Sequence, residues 1–333
     1  MRCRTRGVLR LCAGLLPASL ELAACGSGGG GSSGPTRPTV TPTPTLFTCT
    51  TSTPAGFRVV GYMPAWQGNV DEIAFARLTH VNYAFALPTA DGGLQRVQDL
   101  PKLQSLVARG HEHGVRVLVS IGGWNDGDDS AFTALAASRA GRRNFAEAVA
   151  RLVADQGLDG VDIDWEYPEA TEAGDYAALS NELSTVLRPA GKLLTAAVTA
   201  SSWGSEGIAN EAFADLDWLN IMAYDGGPAA DHSPYSYAVS ALDFWAGRGL
   251  PRQKTVLGVP FYSRPGWRSY ASLVATYPDA PYRDEVGGEH YNGIDTIRRK
   301  TCLARERASG VMIWELSQDT HDATSLLAAI TSP

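Results

Sequence analysis

Eight short apolar runs, separated by segments with a helical pattern, constrain the fold of this 333-residue chain more than any other feature. Runs that are apolar on both faces are typical of strands in a parallel sheet that is covered by helices. Eight repeats within about 275 residues predict a closed (β/α)8 TIM barrel, a fold that typically needs roughly 250 residues. A doubly wound open sheet is the alternative. The predicted strands lie at 58–62, 79–85, 116–121, 160–165, 194–199, 218–224, 255–261 and 310–314.

The segments between these strands carry apolar residues at helical spacing. Within 138–157, Phe145, Val149 and Val153 recur every four residues, Ser138 is a candidate N-cap, and Gly157 is a candidate stop. The predicted helices lie at about 99–110, 138–157, 172–188, 236–248 and 293–308.

Two polar clusters are assigned to solvated helix surfaces. His111 and His113 lie at a helix end, where the helix dipole favours cations. The basic run 298–300 is predicted to lie on the polar face of the last helix.

The first 56 residues are predicted to lie outside the barrel. Residues 1–24 combine four Arg with a short apolar stretch, a pattern typical of a secretory signal. The signal ends in Leu-Ala-Ala followed by Cys25, which resembles a bacterial lipobox and predicts lipidation of Cys25. Plain secretion is the alternative. Residues 25–56, rich in Gly and Ser and then in Thr and Pro, are predicted to form a flexible linker, and residues 57–333 a single catalytic domain.

The charge of the chain excludes one class of partner. With 28 Lys and Arg against 35 Asp and Glu, the net charge is −7. Removal of residues 1–24 would take away four Arg and one Glu and leave −10. Since nucleic-acid affinity depends on clustered cations, we expect no nucleic-acid partner. Membrane contact is expected only through a lipid on Cys25.

Two of the five cysteines lie in or next to the predicted barrel domain, Cys49 just before the first strand and Cys302 within the last helix. Because the first and last strands are neighbours in a closed barrel, the two thiols are candidates for a disulfide in an oxidising compartment. Two unpaired thiols are the alternative. The sequence contains no metal-type cysteine cluster, so no metal site and no cofactor are predicted.

The segment 159–168, Asp-Gly-Val-Asp-Ile-Asp-Trp-Glu-Tyr-Pro, carries the strongest chemical signal. Side chains alternate along a strand, so Asp162, Asp164 and Glu166 share one face, spaced by about 6–7 Å. Either these carboxyl groups or the alternate Ile and Trp line the barrel interior. Crowded carboxylates raise the pKa of at least one of them, which suits a general acid. A Ca²⁺ or Mg²⁺ cluster and a solvated acidic turn are the alternatives.

The spacing Asp159, Asp162, Asp164, Glu166 resembles the DxxDxDxE signature of glycoside hydrolase family 18, and the extended segment looks like that of its chitinases. Further similar motifs follow in family order across about residues 57–330, and they are Ser-Ile-Gly-Gly-Trp ending at Trp124, Met-Ala-Tyr-Asp ending at Asp225, Pro-Phe-Tyr-Ser-Arg ending at Arg264, and Val-Met-Ile-Trp ending at Trp314. The resemblance is to bacterial, exported members without the small α+β insertion that some relatives carry between strands seven and eight. We therefore expect an open groove.

The resemblance implies a retaining, substrate-assisted mechanism. Glu166 would protonate the glycosidic oxygen while the substrate's 2-acetamido carbonyl attacks C1 and forms an oxazolinium ion. Asp164 would orient the acetamido group, Asp162 would hold Asp164 and share its proton, and Tyr224 would donate a hydrogen bond to the acetamido oxygen. The role implied for Asp159 is structural.

The resemblance also implies a sugar-binding surface. Trp314 would form the floor of the subsite of the reacting sugar, and Asp225 and Arg264 would bind sugar hydroxyl groups. Four more candidates are Tyr62, Trp66, Trp124 and Met222; for the first three, cleft lining and ordinary packing remain open.

The function implied is that of a monomeric chitinase that cleaves β-1,4 links within chitin or N-acetylglucosamine oligosaccharides. An endo-β-N-acetylglucosaminidase acting on glycoprotein or peptidoglycan glycans and a catalytically inactive chitin lectin are the alternatives.

Overall fold

The computed structural model describes residues 46–332. The predicted signal 1–24, the lipidation site Cys25 and most of the predicted linker lie outside these residues and stay predictions. Between residues 46 and 332, no helix is both long enough and apolar enough to span a bilayer.

Eight parallel strands close into a barrel, which confirms the predicted fold class. The chain also forms one antiparallel pair, β8 with β9. The order around the barrel is β1, β10, β7, β6, β5, β4, β3, β2, so sequence neighbours lie side by side and β1 closes on β10. The strands are β1 (Arg58–Pro64), β2 (His80–Ala86), β3 (Arg116–Gly122), β4 (Gly160–Asp164), β5 (Leu193–Thr199), β6 (Trp218–Met222), β7 (Thr255–Pro260), β8 (Glu285–Val286), β9 (Glu289–His290) and β10 (Gly310–Trp314).

Eight α-helices accompany the strands in the described part of the chain, and the five predicted from periodicity are among them. The longest begins after Ser138, whose side chain accepts from the Gly141 N–H, and ends at Gly157 in a left-handed conformation. The helices are α1 (Leu100–Glu112), α2 (Ser130–Ala136), α3 (Arg139–Gln156), α4 (Ala173–Leu187), α5 (Tyr235–Gly247), α6 (Tyr270–Thr276), α7 (Ile294–Arg307) and α8 (Leu326–Thr331).

The packing of β4 decides which of its faces lines the barrel. Ile163 and Trp165 belong to the large apolar layer between strands and helices. Trp165 stacks on Phe132 at 5.2 Å and donates to Asp129 at 2.9 Å. The alternate side chains of β4, Asp162 and Asp164, are therefore the ones that point into the barrel.

The end of the predicted linker lies against α7. Cys49 and Cys302 form a disulfide with a Cα–Cα distance of 5.5 Å. Before it, the Phe47 N–H donates to Asp295 at 2.6 Å, and after it, Thr51 donates to Glu306 at 2.8 Å. Residues 47–51 thus run along α7 from its first turn to its last.

The connection between β7 and β10 contains α6, the β8–β9 pair and α7. Within α7, the structure corrects one sequence expectation, because Lys300 is fully buried rather than part of a solvated polar face. Its neighbour Arg299 is the exposed residue, with a side chain 53% accessible and paired to Asp295.

Candidate active site

A cleft of about 950 Å³ opens at the carboxyl ends of the barrel strands, where the chemistry of TIM barrels is found. Nine of the predicted candidates line it: Tyr62, Trp66, Trp124, Asp164, Glu166, Met222, Tyr224, Asp225 and Trp314.

Asp162 lies at the base of the site and is fully buried. Its two carboxylate oxygens accept four hydrogen bonds, from Tyr62 (2.6 Å), Ser120 (2.8 Å), Thr195 (2.5 Å) and Asn220 (3.0 Å). Burial raises the pKa of Asp162, and the hydrogen bonds oppose that rise. These donors come from β1, β3, β5 and β6, so the barrel closure itself builds the pocket for this carboxyl group.

Asp164 and Glu166 follow on the same face of the chain, towards the cleft. Burial, together with the charges of Glu166 and Asp162, raises the pKa of Asp164 well above its usual value. Burial raises the pKa of Glu166 to about 7; hydrogen bonds from Tyr167 and Asp164 oppose the rise, and the charge of Asp225 adds to it. The cluster therefore retains a proton on a carboxyl group that faces the cleft at higher pH than an isolated carboxyl group would.

Tyr224 projects from the end of β6 towards the same cluster. Burial and the charges of Asp164 and Glu166 raise the pKa of Tyr224 well above 10, so the phenol keeps its proton. Its hydroxyl lies 3.8 Å from the sulfur of Met312, which is a weak acceptor. The hydroxyl is therefore available to donate to a better acceptor in the cleft.

Asp225 lies at the rim and is held from several sides. Tyr262 donates to one carboxylate oxygen at 2.6 Å, and Arg264 donates to the other at 2.8 Å. The latter oxygen also lies 3.0 Å from Nδ1 of His232. Despite partial burial, these contacts lower the pKa of Asp225. Arg264 is not itself among the residues that line the cleft.

Aromatic side chains form the floor and one wall of the cleft. Trp314, at the end of β10, lies 5.5 Å from the ring of Tyr62 and stacks on Phe85 at 5.6 Å. Phe85 in turn lies 6.1 Å from Trp66, which is 53% exposed. Tyr62 is nearly inaccessible, so it both packs and supports Asp162 beneath the floor.

A second aromatic row lies on the side of β3, β4 and β5. Trp124 lies 6.5 Å from Tyr167, and Tyr167 lies 5.1 Å from Trp203. Trp124 and Trp203 are 57% and 66% exposed, so the row presents an apolar surface of the kind that marks ligand-binding grooves. Flat apolar rings of this kind suit stacking against the faces of sugar rings.

Sequence reasoning did not single out several residues of the site, among them Phe85, Tyr167 and Tyr262, which stand in predicted strands or quoted motifs. Three others, Trp203, Trp267 and His232, stand in loops without periodicity or a motif, and only the fold brings them to the cleft or its rim. Trp267 stacks on Tyr262 at 5.5 Å and lies beneath the guanidinium of Arg264 at 4.1 Å.

Two predicted features lie away from the cleft. Asp159 precedes β4 at the opposite end of the barrel, where it accepts from the Val117 N–H and lies 2.8 Å from His111. The Cys49–Cys302 disulfide lies on α7. Across residues 46–332, no group of three or more His, Cys, Asp or Glu side chains has an arrangement that could hold a metal ion.

Comparison with known proteins assigns the family. The model of "Glycosyl hydrolases family 18" matches residues 58–319. "Probable chitinase 2" of Drosophila melanogaster is 32% identical over 272 residues, which cover 67% of this chain and 53% of that protein. The chain thus spans about half the length of this curated relative.

Comparison with solved structures agrees with the barrel fold. The GH18 chitinase ChiB of Flavobacterium johnsoniae has a TM-score of 0.73 at 30% identity, over 83% of this chain and 93% of that one. A chitinase-like agglutinin of Robinia pseudoacacia has a TM-score of 0.72 at 22% identity, over 82% and 98%. The fold alone therefore does not separate enzymes from lectins. With more than half of its length matched by the family model, the chain belongs to glycosyl hydrolases family 18.

Proposed function

We propose that this protein is a chitinase that hydrolyses β-1,4 links within chains of N-acetylglucosamine. The observation that carries the proposal is Glu166, a cleft-lining carboxyl group whose pKa is raised to about 7, directly beyond the buried Asp164. A carboxylic acid that keeps its proton near neutral pH is what protonation of a glycosidic oxygen requires.

The surroundings of two neighbouring carboxyl groups, Asp162 and Asp225, support a nucleophile supplied by the substrate. Asp162 is fully buried and already accepts four hydrogen bonds. Asp225 is bound by Tyr262 and Arg264. Neither is free to attack a sugar carbon, whereas the 2-acetamido group of N-acetylglucosamine carries its own nucleophilic oxygen.

The proposed first step breaks the bond between C1 and the glycosidic oxygen. Glu166 gives its proton to that oxygen while the acetamido carbonyl oxygen bonds to C1, which yields an oxazolinium ion and a free sugar hydroxyl. Water then attacks C1, its proton passes to Glu166, and the ring of the oxazolinium opens. The anomeric configuration is retained, and Glu166 ends in its starting state.

Asp164 and Tyr224 act on the acetamido group in this proposal. Asp164 orients its N–H and balances the positive charge that develops there, and Tyr224 donates to its oxygen. The four hydrogen bonds around Asp162 oppose the rise in its pKa that burial causes, and the charge of Asp162 raises the pKa of Asp164 in turn. Asp162 holds Asp164 and shares its proton in this proposal.

The aromatic rows support action within a chain. One row lies with Trp314 and Trp66, and the other with Trp124 and Trp203, so stacking surfaces extend well beyond the floor at Trp314. A site with several exposed platforms suits a substrate of several sugar units.

Digestion of chitohexaose by the unaltered protein and by Glu166→Gln tests the proposal. We expect cleavage by the unaltered protein and a loss of at least about 10²-fold in kcat for the variant, because the amide cannot donate the required proton. Cellohexaose, which lacks the acetamido group, should remain intact in both reactions.

Three results would contradict the proposal. Equal rates for both proteins would remove Glu166 from the role of acid. Cleavage of cellohexaose would remove the acetamido nucleophile. Binding of chitohexaose without hydrolysis by the unaltered protein would make it a lectin.

A further inference from the structure

The loop that follows β6 folds back beneath the rim of the cleft. It carries Asp225 near its start and His232 near its end, and the Gly226 N–H donates to the His232 carbonyl at 3.2 Å. The His232 side chain is only 1% exposed and packs against the Tyr262 ring at 4.8 Å. A buried imidazole therefore lies directly behind the carboxylate of Asp225.

Both ring nitrogens of His232 have assigned neighbours. Nε2 lies 3.2 Å from the carbonyl oxygen of Tyr262, and because a carbonyl only accepts, Nε2 carries a hydrogen. Nδ1 lies 3.0 Å from a carboxylate oxygen of Asp225 and 3.3 Å from its backbone nitrogen. The imidazolium form donates to the carboxylate, and the neutral form accepts from the backbone N–H. In both forms, the ring is hydrogen-bonded to Asp225.

Lys300 fixes the backbone next to His232. This fully buried side chain on α7 donates to the carbonyl oxygen (2.7 Å) and the hydroxyl (2.6 Å) of Ser233 and to the Asn292 amide oxygen (2.7 Å). The Ser233 hydroxyl donates onward to the Ala223 carbonyl at 2.7 Å, two residues before Asp225. Three donors of the ammonium group thus meet three acceptors, and two of them belong to the residue after His232.

We propose that His232 is a positioning residue, which holds the Asp225 carboxylate towards Glu166 and is itself held from the outer layer by Lys300. The inference rests on the proposed function in so far as Glu166 is the acid. Lys300 acts through Ser233. The titratable and charged groups that face His232 and Asp225 are Tyr262 and Arg264 from the chain after β7, Tyr237 from α5, Tyr224 from the chain after β6, and Glu166 and Tyr167 from the chain after β4.

The consequence for Glu166 follows from charge. The carboxylate of Asp225 raises the pKa of Glu166. If Asp225 turns away from the cluster, Glu166 loses its proton at lower pH, and the fraction of molecules with a usable acid falls. His232 thus acts on the acid through Asp225 without touching the substrate.

Two matched substitutions separate the two ring nitrogens. The amide nitrogen of Asn lies as many bonds from Cα as Nδ1, and that of Gln as many as Nε2. His232→Asn can therefore still donate to Asp225, whereas His232→Gln can reach only the Tyr262 carbonyl. With chitohexaose as substrate, we expect the kcat of His232→Asn to stay within about threefold of that of the unaltered protein. The pH profile of this variant should be unchanged. His232→Gln should lose at least about tenfold in kcat with little change in KM, and its basic limb should move to lower pH.

Equal losses in the two variants, better activity of the Gln variant, or unaltered activity in both would overturn the proposal. A second measurement does not depend on hydrolysis or on the folding of these variants. In ¹⁵N-labelled protein, the Nδ1 resonance of His232 should shift in Asp225→Asn, because that nitrogen loses its carboxylate partner. No shift would also overturn the proposal. If the unaltered protein cleaves no glycan, the proposed function fails, while this resonance still tests the positioning role.

Discussion

The chemistry of the cleft depends on which of its carboxyl groups, Glu166 or Asp225, carries a proton. Glu166 has a raised pKa of about 7 because it is buried and lies near the negative charge of Asp225. Burial alone would raise the pKa of Asp225, but hydrogen bonds with His232, Tyr262 and Arg264 outweigh it and lower that pKa. The same surroundings thus lower the pKa of Asp225 and raise that of Glu166. Pairs of carboxyl groups whose pKa values are pushed apart in this way are typical of sites where one group acts as the acid.

Asp225→Asn is therefore expected to change the pH dependence of hydrolysis. Glu166 must be protonated to act, so kcat/KM falls as pH rises through its pKa, near 7. Without the charge of Asp225, that pKa drops and the basic limb moves to lower pH. The pH profile of kcat/KM on chitohexaose measures the shift. Asp243→Asn, the same change on α5, is the control and should leave the limb in place.

The acids of the site could be predicted from the sequence, while their supports could not. Asp162, Asp164 and Glu166 alternate with apolar residues along one strand and its extension. Because alternation along a strand is a local property, the sequence alone places the three side chains on one face. His232 lies seven residues beyond Asp225 in an irregular loop. Its contact with Asp225 exists only because the loop folds back, and no local rule predicts that return.

Elements were predictable where both faces of a strand are buried or where a helix has one long apolar face. β7 and β10, for example, lie within one residue of the predicted bounds, since their apolar runs end where burial ends. The three helices that the sequence reasoning missed, α2, α6 and α8, have only seven, seven and six residues. Two turns of helix are too short to establish a period.

The orientation of α7 shows why a run of cations misleads. Arg298, Arg299 and Lys300 are consecutive, but successive helix residues are about 100° apart, so the three cannot share one face. Arg299 faces solvent, whereas Lys300 enters the layer between helix and barrel. A charge is tolerated there because the loop after β6 and Asn292 supply three acceptors.

Lys300→Met should alter how stability depends on pH. Burial lowers the pKa of Lys300 to about 7, so between about pH 7 and 10.5 the unfolded chain holds a proton that the folded protein has released. Stability from this site therefore rises with pH in that window. Relative to Lys300→Met, the free energy of unfolding of the unaltered protein should increase from pH 7 to pH 10 in urea titrations.

A matched control lies beside it. Arg299→Met removes a charge from the exposed face of the same helix and should show no such rise. A constant difference between Lys300→Met and the unaltered protein across this window would contradict the burial of a titrating lysine.

At the scale of the whole molecule, two kinds of bond connect the first and last parts of the barrel. Backbone hydrogen bonds join β1 to β10, and the Cys49–Cys302 disulfide joins the chain before β1 to the helix that leads into β10. The disulfide spans 253 residues of sequence, so its loss greatly enlarges the freedom of the unfolded chain.

The double substitution Cys49→Ala and Cys302→Ala should lower the free energy of unfolding by about 2–4 kcal/mol. Turnover of chitohexaose should stay within about twofold, because the disulfide lies on α7 and not among the residues of the cleft. Denaturant unfolding with and without reductant gives the first quantity, and the unaltered protein in reductant should match the variant. Equal stability of variant and oxidised protein would contradict this assignment.

The course of residues 47–51 along α7 has a consequence for anything attached upstream of the barrel. Helices of a (β/α)8 barrel run opposite to its strands, so the first turn of α7 lies at the level of the strand ends that carry the cleft. Phe47 contacts that first turn through Asp295, and Thr51 reaches the last turn. A label or support joined directly at residue 46 in place of residues 1–45 would therefore be attached at the level of the cleft rather than at the opposite end of the barrel.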